Sequence, residues 1–108
     1  MVREEGMETD RLKRIAACLR QDYGAERIWL FGSMARGTAD EDSDADLLII
    51  SRTQEEFFGR LATVQRLLRE HRGRLAVAPI VLTPEELEAR LAKGDQFIGD
   101  IVTHGVEL

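Results

Sequence analysis

The chain has 108 residues and a mass of 12.2 kDa, with 44% apolar and 32% charged residues, which suits one domain over 1–108 and excludes a multidomain enzyme. Twenty acidic against fifteen basic side chains leave a net charge of -5, opposite in sign to the broad basic surface of a protein that grips nucleic acid through its phosphates. No apolar run approaches the length of about eighteen residues that crosses a bilayer, Cys18 has no second cysteine to pair with, and the charged opening lacks an apolar leader, so a cytoplasmic protein is expected.

Thr9 or Asp10 is suited to cap a first helix, in which Leu12, Ile15, Ala16, Leu19 and Tyr23 form a one-sided apolar stripe and Gly24 is the stop. Ile28-Trp29-Leu30-Phe31 is bulky and does not alternate, which predicts a strand covered on both faces and ended by Gly32. Small and polar residues from Met34 to Asp42 predict a helical turn or two and then an acidic loop. A second strand enters at about Asp44 and carries Leu47-Leu48-Ile49-Ile50 into the core. Thr53-Gln54-Glu55-Glu56 has capping-box spacing and predicts a helix with Phe57, Phe58, Leu61, Val64, Leu67, Leu68 and His71 on one side, closed by Gly73. Leu75 to Leu82 reads as a third strand, which Pro79 confines to an edge or a bulge. Thr83-Pro84-Glu85-Glu86 opens another helix with a full capping box. Phe97, Ile98, Ile101 and Val102 suit a short packed helix, and Val106-Glu107-Leu108 carries no signal. Helices and strands in this order make an α/β (α+β) fold. Cys18, Trp29 and the phenylalanines are expected in its core, with His71 at a helix end and His104 on the surface.

Two features coincide between Phe31 and Ile50. Gly32-Ser33 lies between a predicted strand and a predicted helix start, where unpaired N–H groups and a residue without a side chain favour a phosphate. The Ser33 hydroxyl adds a donor, and Arg36, three residues on, adds a cation on the same turn. Asp44 and Asp46 are two apart in an extended chain, so both side chains lie on one face with α-carbons about 7 Å apart. Two such carboxylates, completed by substrate phosphates, suit magnesium and hence phosphoryl or nucleotidyl transfer.

The acids at Asp40, Asp42, Asp44 and Asp46 also alternate as in an EF-hand loop, but the sixth position is Ala45 where glycine is needed and the twelfth is Ser51 where glutamate is needed. Gly32 to Gly37 has neither the dinucleotide-binding glycine pattern nor the Gly-Lys-Ser/Thr of a phosphate-binding loop.

Gly32-Ser33, ten intervening residues and then Asp44-Ala45-Asp46, flanked by Leu30-Phe31, Arg36-Gly37 and Leu47, resembles the signature of the polymerase beta-type nucleotidyltransferases, in their minimal single-domain branch. The resemblance implies the nucleotidyltransferase fold, a small mixed sheet of at least three strands packed with about four helices. It also implies that Gly32, Ser33 and Arg36 bind a nucleoside triphosphate such as ATP. Asp44 and Asp46 would hold magnesium, and a nucleoside monophosphate would pass to a hydroxyl. Members often pair with a HEPN-domain protein in toxin–antitoxin modules, so an antitoxin-like binding partner of a HEPN-domain ribonuclease is the alternative. Active relatives carry a third acid on the strand after the long helix, and Ala78 stands at that place in this sequence.

Overall fold

The three apolar runs become neighbouring strands. A computed structural model describes residues 2–40 and 42–108, with side chains from residue 9 onward. In chain order it contains α1 (Val2–Cys18) continued by a π-helical turn (Leu19–Tyr23), β1 (Ala25–Phe31), α2 (Ser33–Arg36), β2 (Ala45–Ser51) and α3 (Phe57–Leu68). There follow β3 (Val77–Leu82), α4 (Pro84–Ala92), α5 (Gln96–His104) and β4 (Val106–Glu107). The sheet has the order β3-β2-β1-β4, with β2 and β3 parallel and the other two pairings antiparallel.

Both faces of β1 and β2 are covered, which is why neither run alternates in polarity. On one face Ile28, Leu30, Leu47 and Ile49 pack with Leu12, Ile15 and Leu19 of the first helix and with Val64 and Leu68 of α3. On the other, Trp29, Leu48 and Ile50 pack with Leu82 and with Ile98 and Ile101 of α5. Gly24 ends the first helix in the left-handed region, φ 73°, and its N–H donates to Leu19 O, closing the wide turn.

Several expectations need correction. The first helix is already under way at Thr9 and Asp10, since the residues ahead of them are mostly good helix formers, so neither is its cap. The Thr53 capping box does not form. Thr53 Oγ1 accepts from Glu55 N–H, a local turn, and α3 starts only at Phe57 with Glu56 as an N-cap that makes no side-chain bond. Glu55 instead accepts from Thr63 Oγ1 at 2.6 Å, which fixes the segment outside the helix. Because α3 starts late, Phe57 and Phe58 project beyond the core as an edge-to-face pair, and Phe58 is 81% exposed. Phe97 is exposed as well, so among the aromatic residues expected in the core only Trp29 is fully buried. The unassigned tail supplies β4, whose Val106 and Glu107 pair with Leu30 and Trp29.

β3 lies at the sheet edge, as Pro79 requires. The carbonyls of Val77 and Val81 are taken by Gln65 Nε2 at 2.8 Å and Arg60 Nη1 at 3.1 Å. The predicted box at Thr83 is present, with both reciprocal bonds. Its Glu86 also holds the buried Arg60 guanidinium through contacts of 2.6 and 3.1 Å. Arg60 thereby ties α3 to β3 and α4.

Removing one member of such a pair strands the other charge. Glu86→Ala is expected to destabilise the fold by roughly 2–3 kcal/mol, below the range for a fully buried pair because the Glu86 side chain is 44% exposed. The Arg60 guanidinium and then the Thr83 N–H hold the Glu86 carboxyl below its ordinary value of 4.5. In denaturant titrations the advantage of wild type over Glu86→Gln is therefore full above pH 4.5 and shrinks as pH falls through the lowered folded value.

Candidate active site

β1 ends at Phe31, whose partner across the ladder is Asp46, the second residue of β2. The next residue, Gly32, has φ 78° and ψ -157°, a conformation that side chains with a Cβ avoid. A Cβ at Gly32 would overlap Asp46 Oδ2 and stand 3.1 Å from its Cγ. The backbone at Gly32 and the Asp46 carboxylate are thus in direct apposition, and only glycine permits it.

Ser33 opens α2, a single turn in which Arg36 N–H donates to Gly32 O at 3.1 Å and Thr38 N–H to Ser33 O at 3.0 Å. Ser33 is half-buried and Arg36 is exposed at the far end of the turn. Among the described residues Arg36 has no salt-bridge partner. Asp44 is exposed just ahead of β2, and Ala45 N–H anchors the strand entry on Ala76 O at 2.8 Å. Partial burial pushes the Asp46 carboxyl above its ordinary value, the Asp44 charge adds to the rise, and the Arg36 guanidinium opposes it. Gly32, Ser33, Arg36, Asp44 and Asp46 therefore gather at one end of the β1–β2 pair.

The acidic loop is occupied with itself. Asp40 Oδ1 accepts from Asp42 N–H at 2.9 Å and from Ser43 Oγ at 3.2 Å, an arrangement that fixes the approach to Asp44. In β3 the partner of Asp46 is Ala78, one strand spacing away. Among the described residues no group of three or more Asp, Glu, His or Cys side chains gathers as a metal cage. Two carboxylates with their remaining positions open fit a hard divalent cation that takes further oxygens from phosphates and water.

A cleft of about 600 Å³ adjoins this group on the side of α5. Gly32 and Arg36 form one end, and Phe97, Asp100 and His104 contribute the helical wall. Their spacing in sequence, i, i+3 and i+7, marks one helix face but gives no hint of what that face meets. Cys18 is buried, and burial first, then Asp22, pushes its thiol upward, so it is a core residue and no thiolate nucleophile.

The family model described as "Nucleotidyltransferase domain" matches residues 12–106, from the apolar stripe of α1 into β4. The chain belongs to the nucleotidyltransferase domain family. The fold agrees, with α-helices around a four-stranded mixed sheet. This nucleotidyltransferase domain is also 32% identical over 95 residues to "Putative protein adenylyltransferase MJ1305" of Methanocaldococcus jannaschii. That likeness takes in 81% of this chain and 63% of the relative, so the chain spans under two-thirds of that protein's length. No solved structure matched the nucleotidyltransferase chain. None of its described helices is long and apolar enough to cross a membrane.

Two substitutions test this geometry in the nucleotidyltransferase without any ligand. Gly32→Ala is expected to cost roughly 1–3 kcal/mol in denaturant unfolding, from backbone strain and from displacing the Asp46 carboxylate. Asp46→Asn should instead stabilise the fold at neutral pH by up to about 1 kcal/mol, because it removes a partly buried charge beside Asp44. With the Asp46 pKa raised, that gain is absent below its ordinary 3.8, where the carboxyl is protonated in folded and unfolded chains alike, and grows as pH rises through the folded value.

Proposed function

We propose that this domain binds a nucleoside triphosphate, ATP first among them, together with magnesium, and transfers the nucleoside monophosphate to a hydroxyl acceptor. The observation that carries the reading is the apposition of the Gly32 backbone and the Asp46 carboxylate, with Arg36 and Asp44 close enough to act on the same carboxyl. A phosphate needs close backbone approach and a cation, and both are offered beside an oxygen-only donor pair. The relative's printed name supports a hydroxyl carried by a protein as the acceptor.

In this reading the missing side chain at Gly32 makes room for the phosphates, Ser33 Oγ donates to them, and Arg36 neutralises the β- and γ-phosphates. Asp44 and Asp46 would hold the magnesium, which when bound supplies positive charge to the phosphate oxygens and lowers the pKa of the attacking hydroxyl. The acceptor oxygen forms the new bond to the α-phosphorus, the α–β anhydride bond breaks, pyrophosphate leaves, and the acceptor proton passes to solvent. The position facing Asp46 in β3 carries the methyl group of Ala78, so no carboxylate there receives that proton. A general base is typically worth a factor of about 10²–10⁴, so slow turnover follows.

Ala78 also supports a second reading, in which the pocket binds without turning over and the domain serves as the antitoxin-like partner of a HEPN-domain ribonuclease. The two are separated by incubating the protein with labelled ATP, magnesium and a candidate acceptor. Transfer that falls at least about 100-fold in Asp44→Ala/Asp46→Ala and rises at least about tenfold in Ala78→Asp supports catalysis limited by the missing base. Equal label with and without the two aspartates eliminates the enzymatic reading, and neutralisation of a co-expressed HEPN-domain toxin by that same double variant favours the second.

A further inference from the structure

The cleft beside the glycine turn has a composition that phosphate binding alone does not explain. Gly32 and Arg36 belong to the proposed phosphate site, whereas the α5 wall presents the Phe97 ring, the Asp100 carboxylate and, one turn further, the His104 imidazole. Phe97 is 55% exposed, yet it is held edge to face against Phe31, with ring centroids 5.6 Å apart and planes at 83°. Exposed aromatic rings fixed in this way are platforms whose orientation costs little to impose on a ligand. Asp100 follows one turn along the same face, is exposed, and has no salt-bridge partner among the described residues, although the cationic Arg36 lines the same cleft. A carboxylate next to a phosphate site repels phosphate, so its use lies with hydrogen-bond donors, for which it is an acceptor.

We infer that this cleft is the nucleoside subsite, in which the Phe97 ring carries the base and Asp100 accepts a hydrogen bond from the ribose 2′-hydroxyl. The inference rests on the proposal that the triphosphate lies at Gly32, Ser33 and Arg36, and it adds selection of ribonucleotides over 2′-deoxyribonucleotides. A volume of about 600 Å³ is in the range of small-molecule sites, and Gly32 and Arg36 line it together with Phe97 and Asp100. Acidic side chains recognise the ribose 2′-hydroxyl in the same manner in dinucleotide-binding folds. Phe97 and Asp100 are thus specificity-determining residues that share no atom with the proposed metal site.

The test is calorimetric titration of the full chain, with magnesium present, using ATP, 2′-deoxy-ATP and inorganic tripolyphosphate as three separate probes. Wild type is expected to bind ATP about tenfold more tightly than 2′-deoxy-ATP. Phe97→Ala should weaken both nucleotides about tenfold, at the low end for an aromatic ring against a base, and leave tripolyphosphate unchanged. Asp100→Ala, which removes the acceptor at an exposed position that carries no core contact, should remove the preference for ATP over 2′-deoxy-ATP. If both variants bind ATP as wild type does while tripolyphosphate still binds, the nucleoside subsite is overturned and the phosphate site stands. If wild type binds none of the three probes, the phosphate site is overturned and the subsite with it. Loss of tripolyphosphate binding in Phe97→Ala marks a misfolded variant, and the Asp100→Ala ratio then decides alone.

Discussion

The pairing of Phe31 with Asp46 at the end of the β1–β2 ladder is the constraint on which the site depends. It brings the last residue of one strand opposite the second residue of the next, so the turn at Gly32 has to pass against a carboxylate. Register is what makes this specific. A slip of one residue would send Asp46 to the face covered by α1 and α3 and would bring Leu47 against the glycine, since side chains alternate across a strand. The non-alternating apolar runs of β1 and β2 resist such a slip through the shapes of Trp29, Leu48 and Ile50 on one face and Ile28, Leu47 and Ile49 on the other.

The two faces of the sheet divide the work. The α1–α3 face is apolar and holds the larger cluster of buried residues. The α4–α5 face holds a smaller one, around Trp29, Ile98 and Ile101, and gives way to polar groups at Asp46 and Asp100. A carboxyl whose charged form is disfavoured by its surroundings is a small burden on folding, and the larger apolar face is placed to bear it. β4 makes the second face stable by pairing with β1 immediately after α5, which fixes the helix that walls the cleft.

Much of this was legible in the sequence where a residue type has one physical use. Gly24 marks the end of the first helix, Gly32 the end of β1 and Thr83 with Glu86 a helix start, and Gly32 and Asp46, both singled out by the motif spacing, lie in direct apposition. The misreadings arose where local signals compete. Thr53 has the spacing of a cap, but its hydroxyl serves the nearer Glu55 N–H, and Glu55 itself is claimed by Thr63 across the first turns of α3. Phe57 and Phe58 then fall in the first turn of α3, where they stay exposed. β4 spans two residues, too few for any periodicity, and exists because β1 offers an unpaired side. The α5 wall was invisible for a related reason. Phe97, Asp100 and His104 share a helix face by spacing, but only the packing of Ile98 and Ile101 on the sheet shows that this face borders Gly32.

The outer rim of β3 has a consequence for self-association. Its outward carbonyls at Val77 and Val81 are capped by Gln65 and Arg60, and between them, at Pro79, the backbone has no N–H to donate. An incoming strand from another polypeptide would find these two carbonyls engaged and no donor at Pro79, devices by which natural sheets discourage growth at an edge. The parallel margin of the fold is therefore a poorer template for strand addition than a bare edge of the same length would be.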